Sequence, residues 1–547
     1  MSSFLGFSQF NPSAPWMRQM DTSKKENYTI DELVAAFDQY WLTHEKNIKG
    51  SGYKPFMRSE YHWRNFTDQY GYIQSSEEFW NAWRQKKQSK VSNRNAVLSL
   101  PVSNWQPVGP FTHTNTGSWS SGQGRVNIVH VDPSNSNTIY LGAPAGGIWK
   151  STDSGSTWTP LTDELPQIGV SGIAVDYSDS NVIYIATGDK DAGDSYSVGV
   201  YKSTDGGATW NPTGTMGASN PTKAGDILIH PTNNQILWCA TNSGIYRTIN
   251  GGTSWSRVRL GDFSQGSIRL KPGNPDVVYA VSDNAFYRST NTGSSFTQIT
   301  SGLPTASSRL LLDVTPANVD YIYVLSAASN GDFQGVYRST DGGTTFTARN
   351  TTTDVFESNQ SWYDLALSVS STNAEEIYTG CLNVWKSVNG GTNLTRINSW
   401  SNPTGPSYTH ADIHYLGFHG TRLFAGTDGG IYVSDNSGSN FTDLTAGVQI
   451  SQFYKIAVSK QSSANMVGGL QDNGGHAYSG GIWKNYYGAD GMDTAINPNN
   501  QNQYYGFIQN GGTMYISDSA GNGITSTVSS PGVSGNWVTP LMANNSG

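Results

Sequence analysis

An octapeptide that recurs along the chain constrains its fold more than any other feature. It reads STDSGSTW ending at Trp158, STDGGATW at Trp210, TINGGTSW at Trp255, STNTGSSF at Phe296, STDGGTTF at Phe346, SVNGGTNL at Leu394 and SDNSGSNF at Phe441. Its third position is Asp153, Asp205, Asn250, Asn291, Asp341, Asn389 and Asn436, at intervals of 52, 45, 41, 50, 48 and 47 residues. A degenerate copy, SDSAGNGI, puts Ser519 in that position 83 residues further on, a gap that holds two units.

Each copy has the same context. A short aromatic or β-branched segment precedes it (GIWK, GVYK, GIYR), a second such segment stands earlier (TIYLG, VIYIA, ILWCA), and an alternating one earlier still (VNIVHVDP, GIAVDYSD). A fourth follows, such as WTPLT or FTQIT. Four strands in a repeat of about 40 to 50 residues is the pattern of a propeller blade. At 547 residues the chain is too long for one ordinary core, and a repeat architecture removes that difficulty. The 61 glycines and the 12% aromatic content supply turns and strand formers.

Other classes are excluded. No apolar run approaches the roughly 18 residues of a membrane-spanning helix. A net charge of -8 with no broad basic stretch disfavours nucleic acid. Two cysteines, Cys239 and Cys381, cannot form a disulfide framework and read as buried small hydrophobes.

Residues 1–104 differ from the rest. Thr29 with Glu32, and Ser75 with Glu78, have capping-box spacing and predict helices over 30–48 and 77–87. Their aromatic stripes, Phe37, Tyr40 and Trp41, then Phe79, Trp80 and Trp83, read as packing surface. The expected fold is therefore mainly β: a propeller of four-stranded blades over 105–547 with a small N-terminal α-helical cap over 1–104. First strands at FYKIAVS (453–459) and MDTAINP (492–498) extend seven clear blades to nine, and a tenth first strand is expected at WVTPLMANN. WQPV at 105–108 resembles an unattached fourth strand of the last blade, so the rest of blade ten is expected beyond Gly547.

The octapeptide resembles the Asp box of sialidase-type and sortilin-type propellers, in which a short carboxylate or amide bonds backbone N–H groups of the turn. With GYKPFMRSEY, QGRVN, GDKDAGDSYSVGVYKSTDGG, SWYDLAL, YTHADIH, GGLQDNGG and GADGMD, the chain is similar to ten-bladed secreted propellers exported by the type IX route, many called glycosyl hydrolase-like. The resemblance implies an extracellular or cell-surface location, a C-terminal sorting domain that this sequence lacks, and a polysaccharide or protein ligand. It assigns the seven third-position residues a structural role.

In a four-stranded meander, the links from second to third strand and from one blade to the next share one face. Departures from repeat regularity fall mostly there. Blade six opens with Trp362, Tyr363 and Asp364, blade seven with His410, Asp412 and His414, and blade nine with Asp490 and Asp493. Blade eight adds Gln452, Tyr454, Gln471, Asp472 and Asn473. If extended, His410, Asp412 and His414 point one way and suit a metal, a general base or a hydrogen-bonded network. Asp189, Asp191 and Asp194 have oxygen ligands spaced somewhat like a calcium loop, without its downstream Glu, and make calcium the one candidate cofactor.

A glycosidase needs two carboxylates flanking the scissile bond, and Asp412, Asp472 and Asp490 are the catalytic candidates. Trp362, Tyr363 and Tyr454 suit sugar stacking. Sialidases carry an Arg-Ile-Pro motif where this chain has QGRVN, whose Arg125 is a ligand-binding candidate. Asp-box xyloglucanases place their acids in a cleft between two seven-bladed propellers, whereas the blade count here favours one larger ring. The expected function is ligand binding at the face carrying the loops of blades six to nine. Glycoside hydrolysis and a purely architectural role are the alternatives.

Overall fold

In the computed structural model the described residues are 14–20, 28–46, 48, 50–73, 76–92 and 106–544, apart from 167, 218, 219, 531 and 533. Among them nine sheets follow one another, eight of four antiparallel strands and one of five. Blades one to nine occupy 128–160, 170–212, 224–259, 268–299, 309–350, 366–396, 413–443, 453–487 and 491–529.

Burial falls from the second strand outward. Ile183–Thr187 of blade two is buried throughout, whereas its fourth strand, Asn211–Pro212, is exposed. The octapeptides form the turns between third and fourth strands. Asp205 accepts from Thr209 N (2.8 Å), Thr209 Oγ1 (2.6 Å) and Ser203 Oγ (2.8 Å). Gly207, at φ +97°, takes a conformation open mainly to glycine. Ser151, Thr248, Ser289, Ser339, Ser387 and Ser434 repeat the contact that Ser203 makes.

The final aromatic of the turn reveals how the blades are arranged. Trp210 Nε1 of blade two donates to Leu161 O after blade one (2.9 Å), and Trp255 Nε1 of blade three donates to Thr213 Oγ1 after blade two (3.1 Å). Trp158 of blade one makes the same contact with Leu444 O after blade seven (2.8 Å). One apolar cluster joins Val129, Leu141 and Trp149 of blade one to Phe424, Ile431 and Val433 of blade seven. Backbone bonds from Val126 N to Thr427 O and from Gln123 N to Gly429 O, both 2.9 Å, complete the seam.

The ring thus closes after seven blades, which corrects the expectation of one larger ring. Blades eight and nine pack on each other outside it. The segment after 105 does not supply a fourth strand to a last blade: residues 106–110 form no strand, and Trp105 lies outside the described residues. Instead Thr114–Asn115 runs parallel to Ile482–Tyr487 as a fifth strand of blade eight. The expected tenth first strand is absent too, since 537–544 carry no strand.

The described residues of the cap contain three α-helices. The first, α1 (Ile30–Trp41), begins at the expected box, Thr29 and Glu32 bonding each other's backbone N–H groups. It stops seven residues before Ile48. A second, α2 (Tyr53–Trp63), was not foreshadowed by periodicity, and α3 (Ser76–Ser92) falls where a helix was expected. Ser75 and the Phe79 side chain lie outside the described residues. Trp16, Phe37, Phe56 and Trp63 of this segment form one core with Tyr196, Trp362 and Tyr363 of the ring. The cap is therefore seated on the mouth of the ring.

Candidate functional site

The mouth is filled from above by Arg58 on α2. Its Nε and Nη2 bond Asp490 (2.9 and 3.1 Å), Nη2 bonds Asp472 (2.7 Å), and Nη1 reaches Asp428 (3.2 Å) and the Tyr363 hydroxyl (3.4 Å). Lys54, one helical turn earlier, stands 3.4 Å from Asp490. Arg58 is only 4% exposed, so these carboxylates offset its desolvation.

Two further arginines continue the network. Arg125 bonds Asp189 (2.5 Å), Asp194 (3.1 Å) and the Tyr363 hydroxyl (3.1 Å). Arg309 bonds Asp191 (3.0 Å) and Ser361 O (2.9 Å). His414 bridges Asp191 (3.0 Å) and Asp428 (2.9 Å). Burial opposes charge on His414, but those two carboxylates win and raise it to about 9. Burial likewise disfavours the Asp428 anion, and His414 overrides it to hold Asp428 at about 2. Asp364 goes the other way: burial and the neighbouring Asp412 carboxylate push it well above the usual range.

The residues singled out in sequence are brought together, though not all as expected. Asp189, Asp191 and Asp194 each face arginine, histidine or amide donors: Asn127 meets Asp189 (3.0 Å) and Gln452 meets Asp194 (3.0 Å). The calcium reading of that loop is corrected, because its oxygens are turned onto protein cations. Carboxylate oxygens do converge elsewhere, where Asp412, Asp428 and Asp472 come within 4.8 Å of one another. Arg58 is the cation bonded to two of the three.

The alternation at His410, Asp412 and His414 breaks. Asp412 sits at φ +64° and the strand starts only at Ile413, so the three do not share one direction. His414 enters the network, His410 Nδ1 lies 4.0 Å from Asp472, and Asp412 accepts from Gln360 (2.9 Å). Trp362 and Tyr363 are buried under the cap and offer no open face for a sugar ring. Tyr454 packs edge-on to Tyr61 of α2. Asn473 donates to Asp428 O (3.1 Å), and the Gln471 backbone pairs with Gln452 O (2.9 Å). Asp493 turns away and accepts from Thr494 N and Leu541 N (2.8 and 3.1 Å).

Open space lies beside the mouth. A cavity of about 210 Å³ is walled by Lys46, Tyr53 and Lys54 of the cap, Trp119, Trp400 of the ring, and Asp472, Gln509 and Asn510 of blades eight and nine. Trp119 and Trp400 lie in strand-to-strand links on the expected face. Gly488 permits the close approach of Trp119, since a Cβ there would lie 2.9 Å from the indole. Asp472 stands out among the repeats, whereas Asp428, in the equivalent link of blade seven (TDGG), does not. Arg58 lies within GYKPFMRSEY, one of the stretches that carry the resemblance, but no role attached to it there; Arg309 and Gln360 gave no sequence signal.

No family model matches the chain. It is 36% identical over 133 residues to the xyloglucanase Xgh74A of Acetivibrio thermocellus, a match covering 22% of this chain and 16% of that protein. It is 28% identical over 165 residues to a xyloglucanase of a Paenibacillus species, covering 28% of this chain and 16% of that one. The matched stretch is thus about one-sixth of each relative's length. In structure the chain is similar to the GH74 enzyme of Niastella koreensis, with TM-score 0.56 and 19% identity over 78% of this chain and 69% of that one. The GH74 xyloglucanase of Xanthomonas campestris gives 0.50 and 14% over 74% and 80%. The architecture is a β-propeller of the kind found in GH74 enzymes.

Proposed function

We propose that this protein acts on polysaccharide outside the cell as a glycoside hydrolase-like propeller, taking a glycan chain of the xyloglucan type in the cleft between the ring, the cap and blades eight and nine. The cleft carries the reading: the indoles of Trp119 and Trp400 and the ring of Tyr53 offer apolar faces for sugars, with amides beside them and Asp472 in the wall. The partial identity to xyloglucanases supports the substrate class. Hydrolysis would require Asp472, held by Arg58 in this state, to be released toward the cleft, with Asp412, an oxygen of which lies within 4.8 Å, as the second carboxylate. Asp490, fully buried and held by Arg58 and Lys54, positions Asp472 through its bond to the Asp472 N–H (3.1 Å). None of the described helices is long and apolar enough to cross a membrane.

Binding without turnover is a second reading, favoured by one observation: Arg58 already occupies Asp472. Xyloglucan offered to the protein separates the two. Release of reducing ends, lost in Asp472→Asn while binding persists, supports hydrolysis. Binding with no release supports the second reading, and neither binding nor release overturns xyloglucan as the substrate.

A further inference from the structure

The wall of the cleft that the cap supplies is cationic. Lys46 lies beyond the end of α1, exposed, with its ammonium 5.4 Å from the centre of the Tyr53 ring. That contact keeps a charge over an aromatic face, and among the described residues no carboxylate stands in ion-pair reach of Lys46. Lys54 has a partner in Asp490, but the same carboxylate takes two bonds from Arg58. Asp472 is the only carboxylate lining the cavity among the described residues, and it is 2% exposed and bound to Arg58. What the cleft presents to a ligand is therefore two ammonium groups, amides and aromatic faces, with no accessible negative charge.

A neutral glucan covers Lys46 without giving it a carboxylate and leaves Lys54 sharing Asp490 with Arg58, which is unfavourable for a charge that is not fully paired. We propose that the ligand is an acidic polysaccharide whose uronate carboxylates pair with Lys46 and Lys54 while neighbouring sugars stack on Trp119 and Trp400. The proposal rests on the cleft being the glycan site. It keeps the cleft of that reading but replaces the neutral, xyloglucan-type chain with an acidic one, and it makes the cap a specificity element as well as a plug.

The test compares a glucuronate-bearing xylan oligosaccharide with the same oligosaccharide after reduction of its carboxyl groups, and with neutral xyloglucan oligosaccharide, by calorimetry on the full chain. The uronate form should bind about five-fold tighter than its reduced form, as a partly screened ion pair allows. That advantage should vanish at about 0.5 M salt, where the Debye length is only a few Å, and in Lys46→Ala, a substitution at an exposed position outside the buried network. Equal binding of the reduced and native forms overturns the acidic-ligand proposal while the cleft reading stands. Failure of all three sugars to bind overturns both.

Discussion

His414 shows how single residues at the mouth take their states from one another. Its imidazolium is buried, yet two carboxylates, Asp191 and Asp428, raise its pKa from the usual 6.5 to about 9. A group whose pKa rises on folding stabilises the fold fully below its unfolded value and loses that contribution as pH climbs through the folded one. His414 should therefore contribute about 3 kcal/mol below pH 6.5, fading between pH 6.5 and about 9. Urea unfolding at pH 6.5 and pH 9.5 should show the loss in the native chain and a much flatter dependence in His414→Gln. An equally steep decline in both would mean that His414 is neutral in the fold. His130 and His419, lining the interior of the ring, are held low by burial, to about 4 and about 3. They destabilise the fold on the acid side, as pH falls from 6.5 towards those values.

At the scale of the element, the octapeptide was legible because its turn is built from local contacts. Short carboxylates and amides at the third position, a hydroxyl two residues earlier and glycines at positive φ are all encoded within eight residues. In sequence the third-position residue is the one that stands out. The structure shifts the weight to the hydroxyl before it: Ser203 Oγ is buried, accepts from Gly207 N (2.9 Å) and donates to Asp205, whereas Asp205 is exposed. Ser203→Ala leaves a buried N–H unpaired and should cost about 1 to 3 kcal/mol. Asp205→Ala, whose partners can turn to water, should cost less. Thermal unfolding of the two variants orders them, and a larger loss in Asp205→Ala would reverse this assignment.

The cap and the mouth were less legible for the opposite reason. Arg58 meets residues about 300 to 430 positions away, and nothing in a local pattern announces such a partner. The face that gathers the irregular links follows from meander geometry, and His414, Tyr363, Asp472 and Asp490 do meet there. What that geometry could not supply was the arginine that fills the mouth, or the positive φ at Asp412 that breaks the alternation.

For the whole molecule, the count of nine blades was accessible from repeats, but their division was not. Ring closure depends on which blade Trp158 leans against, a contact between residues 286 positions apart. Once blade one is docked on blade seven, blades eight and nine stand beside a complete ring. Their surfaces show it: Ile456 and Val458 of blade eight are 54% and 51% exposed, in a strand whose counterparts in the ring are largely buried. The junction of ring, cap and extra blades is where the cleft arises, and in the ring itself Arg58 closes the alternative route to the buried carboxylates.

The proposed glycan site is this junction, not the mouth of the ring or the octapeptide turns. Hydrogen–deuterium exchange of the full chain with and without a saturating glucuronoxylan or xyloglucan oligosaccharide tests it directly. Slowed exchange should be confined to peptides containing residues 46, 53–54, 119–120, 400, 472 and 509–510. Protection at the octapeptide turns, or along the first strands that line the ring, with those peptides unchanged, would contradict the account.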